Sequence, residues 1–398
     1  MRIAYYTHYI GPKMNQIHFK DQKFSLAAGI KSQGIARALL LAGHDVTIYS
    51  VAIPIGNKDI KAFTEVEVFP EGKLTIKYPD LHLYSKRGPL NELRLHKLMR
   101  KDHKENPYDI FVYYNIMYGS CMHLNLFKNA IRILEYEDNI FNKFLEGGKR
   151  KLTWLRKIEN RYVLRNSDGA FAVSMGILND QEIKDRVITP GVINDEVKES
   201  VSSRINTISK DKPVRLIIMG GTGWDKGTDV LFKAMCLVET PCILDIYSNI
   251  SLYNSIQSLY DTMPERHKVE FKGFKPHREL IQILDREADI LLCTTRNLGV
   301  RPQGAGFPSK MLDYSATGRP IVSSELAMLD DEFNQCVTYY ESDSPESLAA
   351  KIEEVIANYD NKVQKALALQ QIVLSQYTIE GTSMKLQSLI KKLVNKKR

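Results

Sequence analysis

The sequence predicts an α/β protein of two doubly wound domains, and three observations carry that prediction. A strand, a glycine-bearing turn, a helix and a second strand follow one another between residues 2 and 50. The same grammar restarts at residue 214. The 398 residues suffice for two or three domains at about 150 residues each. Hydrophobic residues at 43% and charged residues at 26% are the proportions of a folded, water-soluble chain, which excludes a disordered or fibrous protein.

The first unit begins with the strand RIAYYTH (2–8) and continues through GIKSQGIARALLLAGHDVTIYS (29–50). Ile35, Ala38, Leu39 and Ala42 recur at helical spacing, Gly43 stops the helix with His44 just beyond it, and Val46–Tyr49 is apolar and β-branched enough for a strand. YDIFVYYN (108–115), IRILEYED (131–138) and GAFAVS (169–174) are further strands that end in polar residues. EVKESVSSRINTISKDKP (196–213) is polar and serine-rich and reads as a linker. After it come strands at 214–219, 242–248, 268–274, 289–295 and 320–324, and SMKLQSLIKKLVNKKR (383–398) reads as a basic amphipathic helix. The expected domains are residues 1–205 and 206–379, with the C-terminal helix from about 380 folding back on the first. Residues 9–28, 52–90 and 296–306 read as loops.

Open parallel sheets place ligands at the carboxyl ends of their strands. In the first half that rule selects Asn115, Glu135, Glu137, Asp138 and Ser174 as cleft residues, with His8 the one histidine at a strand end. In the second half GGTGWDKG (220–227) turns a strand into a helix, with Gly221, Thr222, Gly223 and Lys226 in the turn. Glycines allow close backbone approach and a lysine adds charge for a phosphate, although the segment reads equally well as a plain tight turn. RNLGVRPQGAGFPSKMLDYSATGRPIVSS (296–324) starts as a polar loop with Arg296 and Arg301, then enters a helix expected over Ser309–Ala316. Ser309 would cap that helix, Lys310 would meet a phosphate, Asp313 would face the same cleft one turn later, and Gly318 would end the helix. The alternative is a capped surface helix.

GFPSKMLDYSATGRPIVSS (306–324) resembles the donor-binding signature of the retaining GT-B glycosyltransferases, the glycosyl transferases group 1. GHDVTIYS (43–50) is similar to that family's first βαβ unit, VITPGV (187–192) to the segment closing its N-terminal domain, GWDKGTDVLFKAM (223–235) to its donor-phosphate loop, and FKGFKPHREL (271–280) to the stretch lining the nucleobase. The resemblance implies a GT-B architecture of two Rossmann-like domains facing a cleft, with the nucleotide sugar on the second. It implies that Lys226 contacts the donor pyrophosphate, Asp313 the ribose and Phe274 the base, with Phe307 and Pro308 in the same donor segment. Gly29, Gly34 and Asn115 would line the cleft on the acceptor side. The family's usual pair of glutamates eight apart is here Ala305 and Asp313, and its usual arginine five before the lysine is here Gly221. Arg301 is the candidate replacement. Where many members carry a histidine this chain reads EYED; Glu137, with Asp138, is the catalytic candidate, engaging the acceptor or stabilising an oxocarbenium-like sugar, against a plain structural acid.

The expected activity is transfer of a sugar from a nucleotide sugar to a glycan or lipid-linked acceptor, with retention, in surface polysaccharide or glycoconjugate biosynthesis. The alternatives are a sugar-nucleotide 2-epimerase of the same architecture and a non-catalytic sugar-nucleotide-binding subunit. No metal and no cofactor are expected, because helix termini with Lys226, Lys310 and Arg301 suffice for the leaving diphosphate. Five cysteines without metal-type pairing read as reduced thiols. The chain lacks an apolar span or signal peptide, which gives a cytoplasmic expectation.

Residues 1–205 hold 31 basic and 23 acidic side chains, against 24 and 24 in the remainder, so the net charge of +8 lies in the first half. KRGPLNELRLHKLMRKDHK (86–104) and KFLEGGKRKLTWLRKIENRYVLR (143–165) carry most of it. The second interleaves Trp154, Leu155, Ile158, Tyr162 and Leu164 with eight basic residues, and reads either as core packing or as a surface resting on anionic lipid headgroups. A peripheral position on the inner face of the membrane is the corresponding expectation. Nucleic acid is not an expected partner, because no recognition motif accompanies the charge.

Overall fold

The computed structural model describes residues 1–397 apart from 19–25, 52–58, 83–87, 117–118, 138–143, 146–147, 150–153, 179–182, 203, 206, 210, 249–252, 297–306 and 328. Among the described residues the chain builds two large sheets and two short two-stranded ones. The first contains Arg2–Thr7 (β1), Asp45–Ser50 (β2), Phe63–Phe69 (β3), Gly72–Tyr78 (β4), Ile110–Tyr114 (β5), Ile131–Tyr136 (β6), Gly169–Ala172 (β7) and Arg186–Ile188 (β8). Their order is β8-β7-β6-β5-β1-β2-β4-β3, parallel throughout except for β3, which runs antiparallel to β4. The second sheet contains Val214–Met219 (β9), Cys242–Tyr247 (β10), Lys268–Phe271 (β11), Ile290–Cys293 (β12), Ile321–Ser324 (β13) and Thr338–Tyr340 (β14), all parallel in the order β11-β10-β9-β12-β13-β14. That is the dinucleotide-fold order of third, second, first, fourth, fifth and sixth strand, and it fixes the ligand crevice where the order reverses, between β9 and β12. In the first sheet the reversal lies between β1 and β5.

The apolar strands are continuous rather than alternating because helices cover both faces. Ile3, Ala4, Tyr5 and Tyr6 of β1 are all fully buried, as are Leu216 and Ile217 of β9. Leu26–Leu41 (α1) follows β1 and ends as expected: Gly43, at φ +79°, donates to Leu40 O while His44 N donates to Leu39 O, satisfying two carbonyls at the helix end. Part of the stretch expected to be loop, residues 52–90, is the edge hairpin β3–β4. FTEVEVF and GKLTIKY alternate polar and apolar residues on a two-residue period, the signal of a half-exposed edge hairpin. Of the basic segment 86–104, residues 88–104 lie in the helix Gly88–Glu105 (α2), with Leu95 and Met99 buried.

The final helix, Ile379–Lys397 (α3), lies on the first sheet although it follows the second in sequence. Leu393 sits so close to Gly169 that a Cβ there would be 2.7 Å from it. Lys392 and Lys396 pair with Asp185, and Lys397 donates to Ala130 O at 2.6 Å. Three of this helix's lysines thus have partners within the chain. The chain crosses between the sheets twice, and the crossings meet: Ile193 N donates to Tyr377 O at 2.7 Å. All five cysteines are free thiols.

Candidate active site

At the switch point of the second sheet, β9 leaves through Gly220 at φ +98° and enters a tight turn over Trp224–Lys226. Gly227 follows at φ +64°, where any Cβ would strike the carbonyl oxygen of Thr294 at the exit of β12. Glycine is required there by both the backbone conformation and the contact. Thr294 Oγ1 donates to Lys226 O at 2.7 Å, Gly223 N donates to Thr228 Oγ1 at 2.9 Å, and Ser248 Oγ donates to Thr222 Oγ1 at 3.2 Å. The turn is thus bound to the exits of β12 and β10. The stem of Lys226 passes over Gly221, and its ammonium, exposed, lies 3.0 Å from Asp225.

Arg296 braces this turn. Its guanidinium forks onto Asp229 with two 2.9 Å bonds, reaches Asp343 and the carbonyl of Trp224, and lies 4.6 Å over the Trp224 ring. Four of its five N–H donors are bonded to protein, so Arg296 holds the loop. Arg301 and Ala305 fall outside the described residues.

Lys310 opens the helix Lys310–Ala316 (α4). Its Nζ donates to Met219 O at 3.1 Å, and among the described residues no carboxylate pairs with it. Burial, helped by the nearby charge of Lys226, lowers its pKa. Two ammonium groups therefore face one crevice in which, among the described residues, the one acid paired with either is Asp225, a field that an anion relieves. Phe307 is buried edge-on against Phe333 with ring centres 5.7 Å apart, and Pro308 O accepts from Met311 N, so both anchor the helix start. The expectation that Ser309 caps the helix is corrected: its backbone is itself helical, and its exposed side chain makes no capping bond. Gly318 ends the helix at φ +69° as expected.

Asp313, intermediate in exposure, accepts from His277 Nε2 at 3.2 Å, and the other ring nitrogen lies 3.7 Å from Glu196. The bond to Asp313 is the main cause of a raised pKa at His277. His277 opens the helix His277–Glu287 immediately after the exposed Phe274, inside the quoted motif FKGFKPHREL, yet sequence reading passed over it. Its acidic partners come from positions 313 and 196, which no local spacing connects.

At the switch point of the first sheet, Glu135 and Glu137 project from the end of β6 with Lys31 of α1 between them, 2.6 Å from Glu137 Oε1 and 3.8 Å from Glu135 Oε1. Tyr5 donates to Glu135 Oε2, and Tyr114 to Glu137 Oε2 at 2.6 Å. Asn115 takes φ +53°, and its Oδ1 accepts from Glu137 N at 2.8 Å, which aims the second glutamate. Asp138 lies outside the described residues. Gly29 faces open space, whereas Gly34 is pressed against Val192, its missing Cβ 2.6 Å from that side chain. Gly34 thus serves the packing of α1 on the 187–192 segment. That segment also meets the second half, since Gly191 lies 2.8 Å, as a Cβ, from Leu312 of α4. Ser174 is fully buried, and burial lowers the pKa of His8. Lys31 sits in GIKSQG, where the glycines alone drew attention.

Residues 201–369 match the family model described as glycosyl transferases group 1. No curated protein matches the sequence. Among solved structures, the sucrose-phosphate synthase of Thermosynechococcus elongatus is 14% identical, with a TM-score of 0.69 over 99% of both chains. The lipopolysaccharide outer core galactosyltransferase WaaB is 14% identical, with a TM-score of 0.67 over 98% of this chain and 99% of that one. Anabaena HepE, solved with UDP-glucose, is 12% identical, with a TM-score of 0.59 over 99% and 100%. At such identities the likeness is one of fold, and the fold is GT-B.

Proposed function

We propose, on the match of residues 201–369 to the family model described as glycosyl transferases group 1, that the protein moves a sugar from a nucleotide-sugar donor to a glycan or lipid-linked acceptor, with retention of configuration. The observation that carries this reading is the pair of lysines at the second sheet's switch point, Lys226 and Lys310, the latter bonded to Met219 O and paired with no carboxylate among the described residues. In it, the two ammonium groups take the diphosphate and stabilise the charge that grows on it as the glycosidic bond breaks. Asp313, held by His277, receives the ribose hydroxyls, and Phe274 lies against the base. The Glu137 carboxylate, on the opposite domain, faces the sugar or the acceptor hydroxyl. A same-face transfer guided by the leaving phosphate requires no protein nucleophile, which suits a cleft whose acids are ion-paired. Surface polysaccharide or glycoconjugate assembly is the corresponding setting.

Turnover tests the reading. Incubation with UDP-, GDP-, ADP- and dTDP-sugars, uridine first in view of the HepE neighbour, is expected to release one nucleoside diphosphate in the presence of cell-derived glycan or lipid acceptors. Conversion of the donor sugar with no acceptor present would instead favour the epimerase.

The helix Trp154–Arg165 supports a membrane-side acceptor. Trp154, Leu155 and Ile158 are 67%, 61% and 56% exposed, beside Lys157, Arg161 and Arg165, while Val163 and Leu164 on the other face are buried. An apolar strip fringed by cations suits an anionic lipid surface. No helix among the described residues is long and apolar enough to cross a membrane. The protein is expected to co-sediment with vesicles containing phosphatidylglycerol and much less with phosphatidylcholine alone. Serine at 154, 155 and 158 together should abolish that binding; equal sedimentation of the triple variant would remove the helix from the account.

A further inference from the structure

The first sheet's switch point holds a charge arrangement that the transfer reading alone does not use. Lys31 and Glu135 have side chains only 6% and 0% exposed, while Glu137, which shares Lys31 with Glu135, reaches the surface of the cleft at 16%. Each member comes from a different part of the fold: Tyr5 from β1, Lys31 from α1, Tyr114 from β5 and the two glutamates from the end of β6. Among the described residues these are the titratable groups that bear on the pair, and Ser32, bonded to Thr7 at 2.9 Å, adds a hydroxyl beside Tyr5.

One buried cation facing two carboxylates cannot neutralise both, and an unbalanced buried charge is costly. The cluster therefore has a neutral state, with a proton on the deeper glutamate, and a singly negative state without it. The exposed member feels the difference. With Glu135 protonated, Lys31 belongs to Glu137 alone; with Glu135 ionised, Lys31 is divided and Glu137 carries more of its own negative charge into the cleft.

We propose that Lys31 and Glu135 are positioning residues that fix the orientation and the effective charge of Glu137. The proposal rests on the reading of this cleft as the site of sugar transfer. Burial pushes the Glu135 carboxyl up to about 7, with Glu137 adding to the shift and Lys31 opposing it, so the change of state falls near neutrality. A more negative Glu137 better stabilises a positive sugar or accepts a hydroxyl proton, so the rate is expected to rise with pH across that range.

Two measurements test this, and the first needs no substrate. In protein labelled with carboxyl-13C glutamate, one resonance is expected to titrate near pH 7 and to be missing from Glu135→Gln, a neutral variant of the same shape. In turnover of the sugar nucleotide found active, the native rise of kcat across pH 7 should flatten in Glu135→Gln. Lys31→Arg should keep most of kcat, and Lys31→Met should lose more than about tenfold with the donor KM little changed. The absence of any glutamate titrating above pH 6, or an unchanged pH profile in Glu135→Gln, would overturn the proposal. If the resonance behaves as expected and no sugar nucleotide is turned over, the transfer reading fails while the charge coupling stands.

Discussion

Replacing Lys226 by Ala and Lys310 by Met together is expected to weaken nucleoside diphosphate binding by about a thousandfold. A hydrogen bond to a charged group contributes roughly 1.5–3 kcal/mol, and about 1.4 kcal/mol is a factor of ten in affinity. The double loss should exceed the sum of the two single losses, because removing one ammonium relieves its repulsion of the other and so offsets part of each single loss. Stability should respond in the opposite sense. The folded state lowers the pKa of Lys310 below its unfolded value, so the charged side chain is a burden on folding at every pH below that range. Methionine keeps the stem and removes the charge, and Lys310→Met is therefore expected to melt no lower than the native protein while binding nucleotide at least about tenfold more weakly. A lysine with a merely structural role would show the reverse pattern, a lower melting temperature with binding intact.

The second large effect belongs to Gly227. Its φ of +64° already costs a side-chain-bearing residue about 1–2 kcal/mol, and the added Cβ would meet the Thr294 carbonyl, a backbone group that cannot swing aside. Gly227→Ala is expected to destabilise the second half by at least about 3 kcal/mol and to displace the 224–226 turn from β12. Gly220→Ala is the matched control: its φ is +98°, but nothing lies within 4 Å of the added carbon, so it should cost about a third as much. Denaturant unfolding of the two variants measures the difference.

The strands were legible because both sheets are covered on two faces, which leaves continuous apolar runs that end in polar residues. The polar ends of those runs pointed to Glu135 and Glu137, and the glycine turn and helix start that follow two of the later runs pointed to Lys226 and Lys310; the switch points themselves came only with the strand order. The site's electrostatic partners were not legible. Lys31 and Glu137 are far apart in the chain, and His277 is joined to Asp313 and Glu196 only by the fold. Arg296 stands in a polar loop, and only its three acidic and carbonyl partners reveal a brace. The edge hairpin was missed for a different reason: its two-residue alternation was present, but it lay within a stretch read as loop because it does not resemble the buried strands around it.

Calorimetric titration of the native chain with UDP, GDP, ADP and dTDP tests the central claim most directly. One of the four is expected to bind, with heat that disappears in the Lys226→Ala, Lys310→Met double variant. If none binds, or if binding is undiminished in the double variant, the second sheet's switch point is not a nucleotide-sugar site.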